Sequence, residues 1–262
     1  MFTTEHFIWL GICAVIIAVM LIISKRFNFK IDLVVNIILI VSLISEITKT
    51  LCSMLPSPHM EGGRFLDPGD LPLHLCSIQI FITFAYKYIC KSEKSKQTIL
   101  AFQAPTMLLG ATIALFVPTI GVEFTNVQVY QYFIYHAFII FYPIYILREK
   151  LVAWKFKTYG KNMAIVGIIA FIVLWINSAL SVSVCTCEQC LAAGHNYFDR
   201  ANFMYLTYPP MEGLPLLNLN NGWYVYFITL ALLVAVLLLI FHLLTWYFYE
   251  KRPSKERTIT YA

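Results

Sequence analysis

Long apolar runs dominate the chain, and short polar connections separate them. Each of the seven runs comes close to the roughly 20 residues that a helix needs to cross the hydrocarbon of a bilayer. Because lipid cannot hydrogen-bond a free backbone amide, we expect every run to be a helix. The predicted spans are residues 7–24, 32–52, 71–90, 97–120, 128–147, 163–185 and 222–248.

Composition supports a membrane protein and excludes a soluble one. The 262 residues are 60% hydrophobic and 13% charged, whereas soluble domains average about 25% charged residues. The first run has Glu5 before it and Lys25 and Arg26 after it, the reverse of a secretory signal, so we interpret it as a retained span. The sequence thus predicts one all-α polytopic membrane domain over residues 1–262, a bundle of seven transmembrane helices.

Basic residues lie mainly in alternate connections, and this bias predicts the orientation. Arg64 and Arg200 are the basic residues of the opposite connections. By the positive-inside rule, the N-terminus is outside and the C-terminus inside a cell membrane. The net charge of +5 follows from contact with anionic lipid headgroups and does not indicate nucleic acid. The basic connections contain Lys25, Arg26, Lys30, Lys87, Lys91, Lys94, Lys96, Arg148, Lys150, Lys155, Lys157, Lys161, Lys251, Arg252, Lys255 and Arg257.

Few ionisable or strongly polar side chains interrupt the spans, and each is a functional candidate because burial in lipid is costly. Glu46 and Lys49 are three residues apart on one helical face and can pair with each other. That pair has an equally good interpretation as a packing contact. The other candidates within the spans are His74, Cys76, Gln79, His136 and Asn177.

Four of these residues share one depth. With 1.5 Å of rise per residue, Glu46, Cys76, His136 and Asn177 lie roughly 8 to 12 Å below the predicted outer boundary. The coincidence predicts a polar cavity that opens toward the outer leaflet. Shared depth does not fix which way each helix faces.

Cys76 is the candidate nucleophile, because Gln79 and Thr83 follow it on the same helical face. His74 and Cys76 point about 200° apart on a helix, so His136 is the better candidate base. Asp70 and Pro72 resemble the cap and first turn of this helix, which would put Cys76 beyond that turn. The alternatives are a packing cysteine, an interhelical histidine contact, and a local carboxylate contact of His74 with Asp70.

Two external segments are long enough to carry function: residues 53–70 and residues 186–221. The second contains Asn202 and Tyr205, which we include among the candidate cavity-lining residues, and it is either a lid or, more simply, an exposed loop. Cys185, Cys187, Cys190 and His195 form a C-x-C-x2-C-x4-H run there. A zinc site, a disulfide (also with Cys52) and free thiols all fit this run. We expect no metal and no cofactor.

Three sequence features resemble one family. They are the string Leu71-Pro72-Leu73-His74-Leu75-Cys76, a later span with a histidine, and the segment 202–206 followed by Pro209. Together they resemble the YwaF-like and transmembrane-protein-164 family over most of the chain. The resemblance implies a cysteine-dependent acyltransferase that remodels membrane phospholipids. It also implies distant similarity to the androgen-induced membrane hydrolases, which use Thr and His.

Carried over residue by residue, the resemblance makes Cys76 the active cysteine and His136 the active histidine. The expected enzyme attacks a lipid ester in the outer leaflet, with Asn177 or Gln79 donating to the oxyanion. A carrier or sensor whose path is lined by Glu46, Lys49 and His136 is the alternative. A structural membrane protein, in which the buried polar groups only set helix packing, is the third interpretation. The sequence predicts no oligomeric state.

Overall fold

The computed structural model describes residues 2–54, 71–118, 120–183, 201–210, 214 and 216–251. Within those ranges the protein is all-helical, with seven helices and one short 3-10 turn at Phe203–Tyr205. Wider π turns extend two of the helices, α3 at Ala85–Ile89 and α7 at Trp246–Lys251. The helices are α1 (Thr4–Arg26), α2 (Ile31–Met54), α3 (Leu75–Phe84), α4 (Glu93–Phe116), α5 (Val127–Arg148), α6 (Phe156–Ser183) and α7 (Trp223–Thr245).

The predicted seven-helix bundle is confirmed, and six of the helices are long and apolar enough to cross a membrane. The exception is α3, for which the prediction of a span over residues 71–90 was too long. This helix begins at Leu75 and, with its π turn, ends at Ile89. At 1.5 Å per residue it is about 22 Å long, less than the roughly 30 Å of hydrocarbon.

Side-chain caps set where several helices begin, which explains why they extend past the apolar runs. Thr3, Ser92 and Asn126 each accept a hydrogen bond from a backbone N–H in the first turn of α1, α4 or α5. Such caps satisfy amides that have no partner inside the helix. As a result α4 starts at Glu93 rather than at residue 97.

The centre of the bundle is α5, which packs against α1, α2 and α4. In the 18-residue apolar stretch of α5, 67% of the residues are buried, against 11% in that of α6. Helix α5 is therefore the core helix, and α6 lies at the periphery. Aromatic rings fill the outer part of this core, where Trp9 stacks on Phe133 with ring centroids 5.1 Å apart. The core helix therefore presents its polar side chains to protein rather than to lipid.

A second, smaller cluster joins α6, α7 and the amino end of α3. Its buried members are Val173, Ala201, Phe203 and Leu206, and Leu71 and Leu73 pack against them. The prediction that residues 186–221 form a plain exposed loop is therefore wrong for this part of the segment. Apolar side chains spaced along residues 201–206 fold that stretch back onto the helix ends.

Candidate functional site

Cys76 is the second residue of α3 and lies in its first turn. The prediction that Asp70 and Pro72 start this helix was wrong, because His74 is the residue that precedes its first turn, with extended backbone angles; Asp70 itself lies outside the described residues. Leu71 and Leu73 instead pack against the second cluster. The positive end of the helix dipole therefore acts directly on the Cys76 thiol.

The sulfur of Cys76 faces α4 at a glycine. A Cβ placed on Gly110 would lie 3.8 Å from Cys76 Sγ, so the missing side chain leaves the sulfur bordered by bare helix backbone. Gly110 is six residues before Phe116, the last residue of α4, and this spacing puts it about 9 Å from the carboxyl end of that helix.

Helix α5 contacts this site through its tyrosines. The Tyr135 hydroxyl donates to the backbone oxygen of Cys76 at 2.8 Å, and the Tyr132 hydroxyl donates to that of Ala114 in α4 at 2.8 Å. His136 follows Tyr135 in α5 and lies one turn after Tyr132, so the histidine is close in sequence to both contacts. No atom of His136 lies within 4 Å of a Cβ placed on Gly110.

The imidazole of His136 is buried and has a defined tautomer. Its Nδ1 lies 2.7 Å from the backbone oxygen of Tyr132, and since a carbonyl only accepts, Nδ1 carries the proton and Nε2 has the free lone pair. The rings of Tyr132 and Tyr135 flank it, with centroids at 4.3 and 5.4 Å. Within the described ranges, no hydrogen bond joins this ring to Cys76 Sγ.

The predicted pair of Glu46 and Lys49 is present, with Lys49 Nζ 2.6 Å from Glu46 Oε2. The other carboxylate oxygen accepts from the hydroxyl of Ser77 at 2.5 Å. Ser77 follows Cys76, so this ion pair connects α2 to the first turn of α3. With both oxygens of Glu46 engaged, the contacts favour a packing role over a solute path.

The polar face that begins at Cys76 continues along the contact between α3 and α4. Gln79 Nε2 donates to Thr106 Oγ1 at 3.0 Å, and Gln103 Nε2 donates to Thr83 Oγ1 at 2.7 Å. All four side chains are buried. Gln79 therefore bonds to a neighbouring helix below the cysteine, and its Oε1 is left without a partner.

Asn177 shares the predicted depth but contacts a different element. Its Nδ2 donates to the backbone oxygen of Phe203 at 3.1 Å, and its Oδ1 accepts from the backbone N–H of the same residue at 3.0 Å. This reciprocal pair holds the segment 201–208 against α6. The contacts favour a positioning role for Asn177 over oxyanion donation.

Asn202 organises the segment that Asn177 anchors. Its Oδ1 accepts from the backbone N–H groups of Thr207 and Tyr208 at 3.0 and 3.2 Å, and its Nδ2 donates to the backbone oxygen of Tyr208 at 2.9 Å. These bonds close a compact turn. The segment therefore has a defined shape where it meets α3.

The segment 201–208 covers the beginning of α3. His74 lies against the rings of Phe203 and Tyr205, with centroids at 5.4 and 5.6 Å. The backbones of Met204 and Tyr205 both have positive φ angles, 57° and 55°, which side-chain-bearing residues adopt only at a cost. Strained backbone of this kind persists where surrounding contacts hold it in place. Here Trp223 and Tyr226 of α7 hold the segment, because their side chains donate to the backbone oxygens of Leu206 and Tyr205.

The external cysteine run lies outside the described residues. This applies to Cys185, Cys187, Cys190 and His195, so their three alternative states stay predictions. Cys52, one partner considered for a disulfide, is a free thiol, as are Cys13, Cys76 and Cys90.

Sequence reasoning missed Tyr135, Gly110, Gln103 and Thr106. Gln103 and Thr106 are polar residues next to Pro105 in an apolar run, and that clustering was an available signal. Gly110 and Tyr135 had no such signal, because a glycine and a tyrosine are ordinary residues of a span.

Comparison with known proteins gives one match. The model of the TMEM164 family matches residues 1–245, nearly the whole chain. No curated protein and no solved structure matches the chain.

Proposed function

The chain belongs to the TMEM164 family of multi-pass membrane proteins, and we propose that it is an acyl-transfer enzyme that uses Cys76 as its nucleophile. One observation carries the proposal: the thiol lies in the first turn of a short helix, beside Gly110, and its backbone oxygen accepts from Tyr135, the neighbour in sequence of the buried His136. In this proposal the chain lies in the cell membrane with the start of α3 in the outer leaflet. Its substrates are membrane phospholipids.

His136 is the proposed base. Its Nε2 lone pair takes the proton of Cys76, and the thiolate attacks the ester carbonyl of a phospholipid. The carbon–sulfur bond forms as the ester carbon–oxygen bond breaks, and the leaving lysolipid oxygen takes the proton from His136. A second lysolipid, or water, then attacks the thioester and returns the proton to the cysteine.

The proposed oxyanion donors are backbone N–H groups at the start of α3. The first amides of a helix have no partner within it, and the helix dipole adds positive potential there. The side chain of His74 forms no cap on these amides. This assignment replaces Asn177 and Gln79, whose amide groups bond to Phe203 and Thr106.

The depth of the sulfur supports a lipid substrate that enters the bundle from the side. The sulfur lies about 9 Å below the outer end of α4, because Gly110 is six residues from Phe116. A soluble ester would have to cross that layer, whereas a phospholipid presents its ester groups near this depth from the side. The exposed rings of Phe81 and Phe84 support a position of α3 next to lipid.

The test uses the full chain in vesicles that contain a phospholipid with an isotope-labelled acyl chain and an unlabelled lysophospholipid. We expect the labelled chain to move to the lysolipid and a hydroxylamine-sensitive acyl group to appear on the peptide containing Cys76. Cys76→Ala should abolish both signals. Cys90→Ala is the matched control, because Cys90 is a free thiol at the other end of α3, and it should retain them.

Two outcomes would overturn the mechanism. Full acyl turnover by the Cys76→Ala variant would remove the nucleophile. Full turnover by a folded His136→Asn variant would remove the base. Release of free labelled fatty acid without transfer, still dependent on Cys76, would establish a hydrolase acting through the same thioester.

A further inference from the structure

A second polar site lies at the basic end of the bundle, far from Cys76 in the fold. A cavity of about 100 Å³ opens between the start of α4, the connection after α5 and the start of α6. Two lysines line it, Lys94 from α4 and Lys161 from α6. Neither lysine forms an ion pair with a described residue. The carboxylates of Glu93 and Glu149 pair with other cations, Lys96 and Arg148.

The floor of this cavity contains a buried amide with one unused atom. Asn162 is 4% exposed, and its Nδ2 donates to the backbone oxygen of Ala101 at 2.8 Å. Its Oδ1 is buried and has no hydrogen-bond partner. A buried acceptor without a partner is costly. Because Oδ1 has almost no accessible surface in this position, a ligand that brings a donor satisfies it once the amide rotates toward the cavity.

Two hydroxyl groups in the lining also have acceptor positions that a ligand can use. Thr98 Oγ1 donates to the backbone oxygen of Lys94 at 2.9 Å, and Thr158 Oγ1 donates to that of Ala153 at 3.3 Å. Since each hydroxyl has one proton and has used it, both oxygens offer acceptor positions to a ligand. The cavity therefore combines two ammonium donors with three acceptors.

The cavity also lies at the level of lipid headgroups. Lys94 is the second residue of α4 and Lys161 is in the second turn of α6, so both lie near helix ends where the chain leaves the apolar region. Basic pockets between transmembrane helices at this level bind the phosphates of anionic lipids.

We propose that this cavity binds the headgroup of an anionic phospholipid whose phosphodiester carries hydroxyl groups, such as phosphatidylglycerol. The two lysines bind the phosphate, and the headgroup hydroxyls donate to Asn162 Oδ1 and the threonine oxygens. A choline headgroup has no N–H or O–H donor and leaves these acceptors unpaired. The acyl chains extend along the apolar surface outside the cavity.

The experiment measures lipid binding to the purified full chain by native mass spectrometry, with phosphatidylglycerol or phosphatidylcholine titrated into detergent. We expect phosphatidylglycerol to bind at least tenfold more tightly than phosphatidylcholine. Lys94→Gln with Lys161→Gln should weaken phosphatidylglycerol binding roughly 30-fold, since each lysine near anionic headgroups contributes about fivefold.

The matched control is Lys155→Gln with Lys157→Gln. These two exposed lysines lie just before α6 and in its first turn, close in sequence to Lys161, but they do not line the cavity. It should change affinity by about twofold or less. The comparison is repeated with single charge reversals that leave α4 unchanged. Lys161→Glu is the test variant, and Lys157→Glu is its control. Helical circular dichroism and gel filtration verify that every variant is folded.

Three results would overturn the proposal. Equal losses from the two double variants would reduce the effect to diffuse surface charge. Equal affinity for phosphatidylcholine would remove the role of the unpaired acceptors. Competition by soluble glycerol 3-phosphate at an affinity equal to that of the lipid would assign the cavity to a water-soluble phosphate ester.

Discussion

Replacement of Gly110 by alanine tests the packing around the candidate nucleophile. The new Cβ would lie 3.6 Å from Leu75 Cδ2 and 3.8 Å from Cys76 Sγ, which are ordinary van der Waals distances. The methyl group therefore fits without displacing its neighbours. It nevertheless fills space beside the sulfur that the proposed reaction leaves open to an acyl group.

The structure predicts opposite effects on stability and reactivity. Alanine in a helix is more stable than glycine by about 0.5–1 kcal/mol, and in a chain of this size that gain raises the melting temperature by about 1–4 °C. The reaction of Cys76 should slow by roughly tenfold or more, because the methyl group narrows the approach of an acyl group to the sulfur, and a misplacement of that group by about 1 Å is sufficient for such losses.

The assay compares Gly110→Ala with Gly167→Ala, since Gly167 is a helical residue of α6 with nothing within 4 Å of its added Cβ. Both variants should gain similar thermal stability. Labelling of Cys76 by an acyl-chain-bearing electrophile, followed on its peptide by mass spectrometry, should slow only in the first. A destabilised Gly110→Ala protein, or one labelled at the original rate, would refute the packing described around the sulfur.

Three further predictions concern stability. Lys49→Met should destabilise the fold by about 2 kcal/mol or more, because it leaves the Glu46 carboxylate unpaired. In chemical unfolding, Glu46→Gln combined with Lys49→Met should recover part of this loss. Additive losses from the two substitutions would contradict the pairing. Asn177→Leu should lower the free energy of unfolding by about 2–4 kcal/mol, because it leaves the N–H and C=O of Phe203 unpaired. Hydrogen exchange of residues 201–208 should accelerate. Unchanged exchange there would exclude the anchoring role of Asn177. Lys150 follows Glu149, the cap of α5, and has a φ of 53°. Lys150→Gly should therefore stabilise the protein by about 0.5–1 kcal/mol, whereas the matched Lys155→Gly should not. Equal effects of the two substitutions in thermal unfolding would show that the gain is unrelated to φ.

Periodicity predicted the direction of the α3 polar face but not what it contacts. The spacing of Cys76, Gln79 and Thr83 put these side chains on one side, and the structure confirms that all three face α4. Their partners could not be predicted, because a lone polar residue in an apolar run has no preferred direction. Pairing requires the register between two helices, and that register depends on packing.

Position along a helix was partly predictable, whereas rotation about each helix axis was not. Glu46 lies eight residues before Met54 in α2 and Asn177 six before Ser183 in α6, similar distances along their helices, but Cys76 is the second residue of α3. Glu46 faces Ser77 beside the cysteine, but Asn177 faces Phe203 in the other cluster. The start of α3 was mispredicted for a related reason: Pro72 favours a first turn, but Leu71 and Leu73 pack against the second cluster.

The short third helix also affects the bilayer around the protein. A hydrophobic segment about 22 Å long, from Leu75 to Ile89, in hydrocarbon about 30 Å thick is a negative hydrophobic mismatch, and lipids accommodate such a segment by thinning locally. In the proposed reaction, such thinning would bring the glycerol backbone of phospholipids next to α3 closer to the midplane. Membrane thickness would then influence turnover: vesicles made from short-chain lipids present the ester at the sulfur without deformation, while thick membranes oppose the encounter.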